Sequence, residues 1–284
     1  MSKASIRPGH ATIHEFFDWI NERHLIWVKR FERKEPFPWT NDPILRDYKF
    51  TNVFRQLDRG TLALQELLKG LRPEFHGGHI LLNTIWYRMF NVADHVNTVG
   101  QCLTFEELRD KMKRNEAKGR QLFTGAHMTV GRAGEAKVDT VLNELATVDF
   151  VGLAELLRSC KTLEDAFELL LFQKIYGIGK FIGYEIISDL RHTLLRGATD
   201  IMTWANIGPG CARGLLRLGL PRDLDSLRML MRQAPSHLAP HVMSAPVPFE
   251  MREIEHSLCE FDKYQRVKTG AGRPRSRFVD PSLR

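Results

Sequence analysis

Apolar positions recur at a helical interval through most of the chain. Phe16, Phe17, Ile20, Trp27, Val28 and Phe31 fall on one helix face, and Thr12 followed by Glu15 reads as a capping box before them. A turn-rich segment runs from Glu35 to Pro43. A second helix is predicted over Asn52–Leu68, with Val53, Leu57, Leu64, Leu67 and Leu68 facing inward. His79–Phe90 reads as a strongly apolar helix. Thr104 with Glu107 opens a short charged helix that ends near Asn115. Phe123–Gly134, rich in Gly and Thr, reads as a loop. Helices resume over Glu135–Leu145 and through Leu153, Leu157, Phe167 and Leu171, with a break near Thr162. No stretch alternates as a strand does, and no repeat has a solenoid period. The pattern predicts an all-α chain.

Charge adds a partner class. The formal net charge of +7 suits a polyanion, because fixed Lys and Arg displace counterions from a phosphate backbone. The last stretch, 263–284, reads as a basic tail. Lys263, Arg273, Arg275 and Arg277 in it are expected to touch a DNA backbone. Cys102, Cys160, Cys211 and Cys259 are far apart and form no CxxC pair, which argues against a zinc cluster or a disulfide framework. His76-Gly77-Gly78-His79 offers two histidines without a third ligand, so no metal or other cofactor is indicated. The segment MSKASIRPGH has no apolar signal core, and no apolar run is long enough for a bilayer. A cytoplasmic location without a membrane partner is expected.

The densest chemistry lies in Tyr176-Gly177-Ile178-Gly179-Lys180, between two apolar helical stretches. Glycines there permit a tight turn, and the amides that open the next helix point outward, ready for a phosphate oxygen. Gly177, Gly179 and Lys180 are therefore candidate DNA contacts. Asp200 follows about one helix later, in Gly197-Ala198-Thr199-Asp200-Ile201. A helix cap is the plain reading of such an aspartate. The arrangement of hairpin and carboxylate resembles the helix-hairpin-helix DNA glycosylase superfamily. That resemblance implies a helical fold of two lobes with a cleft between them, within one domain over 1–284. It also implies that Asp200 is the catalytic carboxylate, in a region of about 165–216. The position matching the superfamily's nucleophilic lysine is Phe181, so lyase chemistry is not implied. A second Gly-rich turn, Gly208-Pro209-Gly210-Cys211-Ala212-Arg213, offers further amides and a guanidinium. Gly208, Gly210 and Arg213 join the candidate DNA contacts.

Longer motifs narrow the resemblance. They are Phe16-Phe17-Asp18-Trp19-Ile20-Asn21-Glu22-Arg23-His24, then the runs from Pro38 to Leu45 and from Tyr48 to Arg59, then Gly208–Gly214 and Glu255–Tyr264. This set resembles the α-glutamyl/putrescinyl thymine pyrophosphorylases, also called amino acid:DNA transferases. It is similar as well to the helical domain associated with 5-hydroxymethyluracil DNA kinases. The resemblance implies phage-type thymine hypermodification, in which an amine or amino acid replaces pyrophosphate on an activated 5-hydroxymethyluracil in DNA. A base kinase is a further partner it implies. No G-x-x-x-x-G-K-[ST] run is present, which argues against kinase activity in this segment. On this reading Arg23, His24, Lys49, Asn52, Arg55 and Arg59 are candidates to hold the pyrophosphate, and Asp200 to accept the amine's proton. Two alternatives remain open: a glycosylase that excises a modified base, and an inert DNA-binding partner of the kinase.

Overall fold

The structure is a computed structural model that describes residues 11–125, 131–272 and 277–278. It is helical throughout, as the apolar spacing predicts. Among the described residues there is no strand, only an isolated antiparallel bridge between Tyr48 and Arg277. The helices in chain order begin with α1 (Ile13–Trp27), α2 (Pro43–Asp47), α3 (Arg59–Leu67), α4 (Gly77–Phe90) and α5 (His95–Thr98). The next five are α6 (Phe105–Ala117), α7 (Lys137–Leu145), α8 (Phe150–Ser159), α9 (Leu163–Phe172) and α10 (Lys180–Leu190). The last four are α11 (Pro209–Arg217), α12 (Leu224–His237), α13 (Pro240–Met243) and α14 (Met251–Lys268).

Local chemistry sets the helix starts. Thr12 and Glu15 close the expected reciprocal cap on α1, which continues into a π-turn over Val28–Glu32. Thr104 accepts the amide of Glu107 at the start of α6. The single helix expected over 52–68 is corrected. Asp58 has extended backbone, so α3 begins only at Arg59, and a short 3-10 turn, Arg55–Leu57, precedes it. An aspartate is at home at such a boundary. The expected basic tail is corrected in its first part, because 263–268 are the last turns of α14. Arg273 and Arg275 lie outside the described residues.

The chain groups into two compact units. Unit one is Met1–Gln56 with Met202–Arg284, and unit two is Leu57–Ile201. In unit two, α4 packs against α8 and α10, burying Ile80, Leu81, Ile85, Trp86, Leu157 and Ile186. In unit one, α14 lies along α11 and against α1 and α12, burying Phe16, Leu215, Leu258 and Phe261. Among the described residues, glycine allows a close approach of α11 to α14. A methyl group at Gly210 would collide with Sγ of Cys259, and one at Gly214 with the carbonyl of Leu258. Gly214→Ala is therefore expected to destabilise unit one by about 2 kcal/mol, because the Leu258 backbone cannot swing aside. Equilibrium urea unfolding would measure it; an unchanged midpoint would show that α11 can slide without cost.

Candidate functional site

A polar network in unit one joins α1, the segment around residues 50–52 and α14. Arg23, 9% exposed, donates through Nε to the carbonyl of Thr51 at 2.9 Å. Its Nη2 donates to the Phe50 carbonyl at 3.0 Å and to Oδ1 of Asn52 at 2.9 Å. Glu260, from α14, accepts the Thr51 amide at 3.0 Å. The Thr51 hydroxyl makes a short hydrogen bond with Nε2 of His256. Lys263 pairs with Glu260 at 2.5 Å and lies 4.6 Å over the Phe50 ring. Polar groups from both ends of unit one's sequence thus hold one segment in place. Their burial demands such partners.

Two residues after Glu260 on α14, Asp262 is fully buried and receives three guanidinium groups. Arg213 reaches it at 2.8 Å, Arg217 at 3.3 Å and Arg266 at 3.2 Å. Burial pushes the neighbouring thiol of Cys259 up to about 12 and that of Cys211 higher than normal. Neither sulfur is a thiolate nucleophile near neutral pH.

In unit two the glycine turn sits between α9 and α10. Gly177 has φ of +86°, a left-handed conformation that favours glycine. Gly179 has ordinary backbone, and a methyl group there would meet nothing within 4 Å. The turn is anchored from within by the Tyr176 amide, which donates to Oε1 of Glu144 at 2.8 Å. Around it Phe172 and Phe181 are 76% and 58% exposed, and Lys174 and Lys180 are exposed too. Asp200 lies elsewhere. Its Oδ1 accepts the Leu163 amide at 2.7 Å and its Oδ2 the Glu164 amide at 3.1 Å. These amides open α9, whereas the turn follows its last residue. A helix of ten residues separates them by about 15 Å along its axis. The expectation that the hairpin delivers a base against this carboxylate is corrected: Asp200 caps α9.

A family model described as "5-hmdU DNA kinase, helical domain" matches residues 10–273. The chain belongs to this helical-domain family. It is also 30% identical over 225 residues to a protein named 5-hmdU DNA kinase from Bacillus phage SP10, an alignment that covers 70% of this chain. The chain spans about a third of that relative's length, 35%. No solved structure matches it.

Several of the expected pyrophosphate ligands have structural partners within the protein. Arg23 and Asn52 meet, but to hold the backbone of residues 50–52. His24 is fully buried, stacked on Trp27 and edge-on to Phe54. Burial, helped by His241 and Arg23, pulls its imidazole down to about 4. It is neutral at pH 7 and cannot balance a pyrophosphate, which corrects that assignment. Lys49 is exposed, Arg55 is buried in the 3-10 turn, and Arg59 is exposed at the start of α3 in unit two.

The second glycine turn is likewise corrected. Gly210 makes room for Cys259, and a Cβ at Gly208 would lie 3.8 Å from a Glu255 carboxylate oxygen. A negative group already sits by that helix start. Arg213 is oriented by Asp262, Lys263 by Glu260, and Arg277 lies over the Tyr48 ring at 5.8 Å. Trp39 is buried, its indole donating to the Glu35 carbonyl at 2.8 Å.

Proposed function

We propose that this helical domain acts on a 5-hydroxymethyluracil-type base in DNA, and that it exchanges pyrophosphate on the activated base for an amine. The observation that carries the DNA-base part is the match over residues 10–273 to the helical domain of 5-hmdU DNA kinases. The amine-transfer part draws on the motifs that resemble amino acid:DNA transferases. In the proposed step the ammonium gives up a proton, and its nitrogen bonds to the base methylene carbon. The carbon–oxygen bond breaks and pyrophosphate departs with the electron pair. The base is extruded from the duplex to reach the protein.

Two features support this reading. The chain's net charge of +7 suits a nucleic acid, and the hairpin presents exposed lysines beside exposed aromatic rings. Gly179 adds open space where a phosphate backbone can approach the amides of α10. For the proton, His256 held by Thr51 is a better candidate than Asp200, whose carboxylate is committed to α9. A second reading has its own observation. The relative is named a kinase and this chain spans about a third of it, which favours a domain that presents DNA to a separate kinase.

Incubation with DNA carrying pyrophosphorylated hydroxymethyluracil and an amine panel separates the readings. Mass gain at the base with pyrophosphate release is the expected result. Tight binding without chemistry would establish the presenting domain, and an abasic site would establish a glycosylase. In the same assay Gly179→Val is expected to weaken DNA binding on the order of tenfold, since its side chain would fill the space over the amides. Unaltered affinity would remove the hairpin from the interface.

A further inference from the structure

The hairpin of unit two carries an outer surface that turning the chain does not require. Ile175 and Ile178 are buried, and the Tyr176 amide is tied to Glu144 at 2.8 Å. Those anchors fix which side chains face solvent. Phe172, Gln173 and Lys174 are exposed at the end of α9, and Gly179, Lys180 and Phe181 at the start of α10. The two helix ends are packed together there: a methyl group on Gly183 would lie 3.2 Å from Cδ2 of Leu171.

Rings and charges on this surface both stand where folding alone would not put them. Phe172 is 76% exposed, the highest value among the large apolar side chains of the described residues. Leaving its ring in water forfeits the free energy that burial would contribute. Lys174 has φ of +53°, a left-handed conformation that glycine adopts without strain and commonly supplies where a helix ends. The chain instead keeps an ammonium there and a second at Lys180, and no acidic residue falls between 169 and 184. Glu144, which holds the turn, is itself paired with Arg132 at 2.7 Å.

Ammonium groups beside exposed rings fit a nucleic-acid strand, phosphates to the cations and base faces to the rings. Strandedness then decides which contacts form. In an intact duplex each base is covered above and below by its neighbours. Lysines can reach the phosphates, but a ring finds no base face to stack on. Where bases are unpaired, both contacts are open. Gripping the phosphate backbone alone gains nothing from Phe172.

We propose that the hairpin binds unpaired DNA in preference to duplex. Phe172 and Phe181 stack on bases, while Lys174 and Lys180 hold the phosphates beside them. The proposal rests on the reading that this hairpin touches DNA, and adds which form of DNA it selects and by which side chains. Such a preference suits a protein whose target base must leave the stack.

Fluorescence anisotropy on the full chain tests it, with a short labelled strand of unmodified DNA and the same strand annealed to its complement. The single strand is expected to bind about tenfold more tightly than the duplex, the worth of one stacked base. Phe172→Ala should remove that advantage and leave duplex affinity unmoved. Phe172→Trp should keep the preference and Phe172→Leu should lose it, because leucine is apolar but has no ring face. The exposure of Phe172 lets these variants test the ring without threatening the fold. Lys180→Ala and Lys174→Gly should weaken both forms several-fold, the latter without lowering the urea midpoint, since glycine suits that backbone. Equal affinity for the two forms, or a preference that survives in Phe172→Ala, would overturn the proposal while the lysine variants still report DNA at the hairpin. Lysine variants that bind both forms as tightly as wild type would remove the hairpin from the interface, and the underlying reading with it.

Discussion

Arg88→Met is expected to cost about 3–5 kcal/mol of stability in unit two, enough to shift or abolish its unfolding transition. Arg88 is 2% exposed on α4 and faces α10. Its Nη2 donates to Oδ1 of Asp189 at 2.8 Å while its Nε makes a short bond to Oδ2, a bidentate grip. The same Nη2 donates to the Thr61 hydroxyl at 3.1 Å, and Nη1 lies 3.8 Å from Glu185. Three elements thus meet at one guanidinium. Methionine fills similar space without charge, so two buried carboxylates on successive turns of α10 lose their shared cation. Both then remain buried with less to offset their charge. The double variant Arg88→Met with Asp189→Leu should recover part of the loss, because charge of both signs leaves together. Chemical denaturation of both proteins checks this. If the single variant loses under 1 kcal/mol, the guanidinium is not what satisfies these carboxylates.

That cluster shows where sequence reading succeeded and where it stopped. The 3.6-residue spacing of Phe16, Ile20 and Trp27 carried α1, and Thr12 with Glu15 carried its start, because both signals are local. Arg88 inside Leu81–Phe90, and Glu185 and Asp189 inside Ile182–Leu190, also left a signal. A charge in an otherwise apolar helix must find a partner, but the sequence does not say that the partners lie about 100 residues apart. Asp200 failed in the opposite way. Its neighbourhood in sequence suggested proximity to the hairpin, yet α9 stands between them as a rod. Gly210 and Gly214 show a third limit. A glycine that admits a ligand and one that admits a neighbouring helix look alike until Leu258 and Cys259 are seen against them. The run Glu255–Tyr264 drew notice as a motif, but only the fold shows Glu260 and His256 holding Thr51.

Acid should loosen both units well before carboxylates titrate. His24 in unit one and His95 in unit two are each nearly or fully inaccessible, and burial pulls each imidazole from 6.5 to about 4. Above pH 7 both are neutral folded or unfolded, so neither costs anything. As pH falls below 6.5 the unfolded chain takes up a proton at each site that the folded chain refuses until about pH 4. The unfolded state therefore binds more protons in this window, and stability falls as pH falls. At pH 5 the loss is about 2 kcal/mol for each imidazole, and below pH 4 it levels off. Aromatic neighbours explain why the rings stay neutral: Trp27 and Phe54 flank His24, and Trp86 and Phe90 flank His95. Phenylalanine suits such surroundings, so His24→Phe and His95→Phe should each flatten the pH dependence between 7 and 5 by about one proton. Urea unfolding at pH 7.5, 6 and 5 reads this directly. A wild-type stability that stays level over that window would mean that these imidazoles accept protons in the folded chain, and that water reaches the aromatic pockets that hold them.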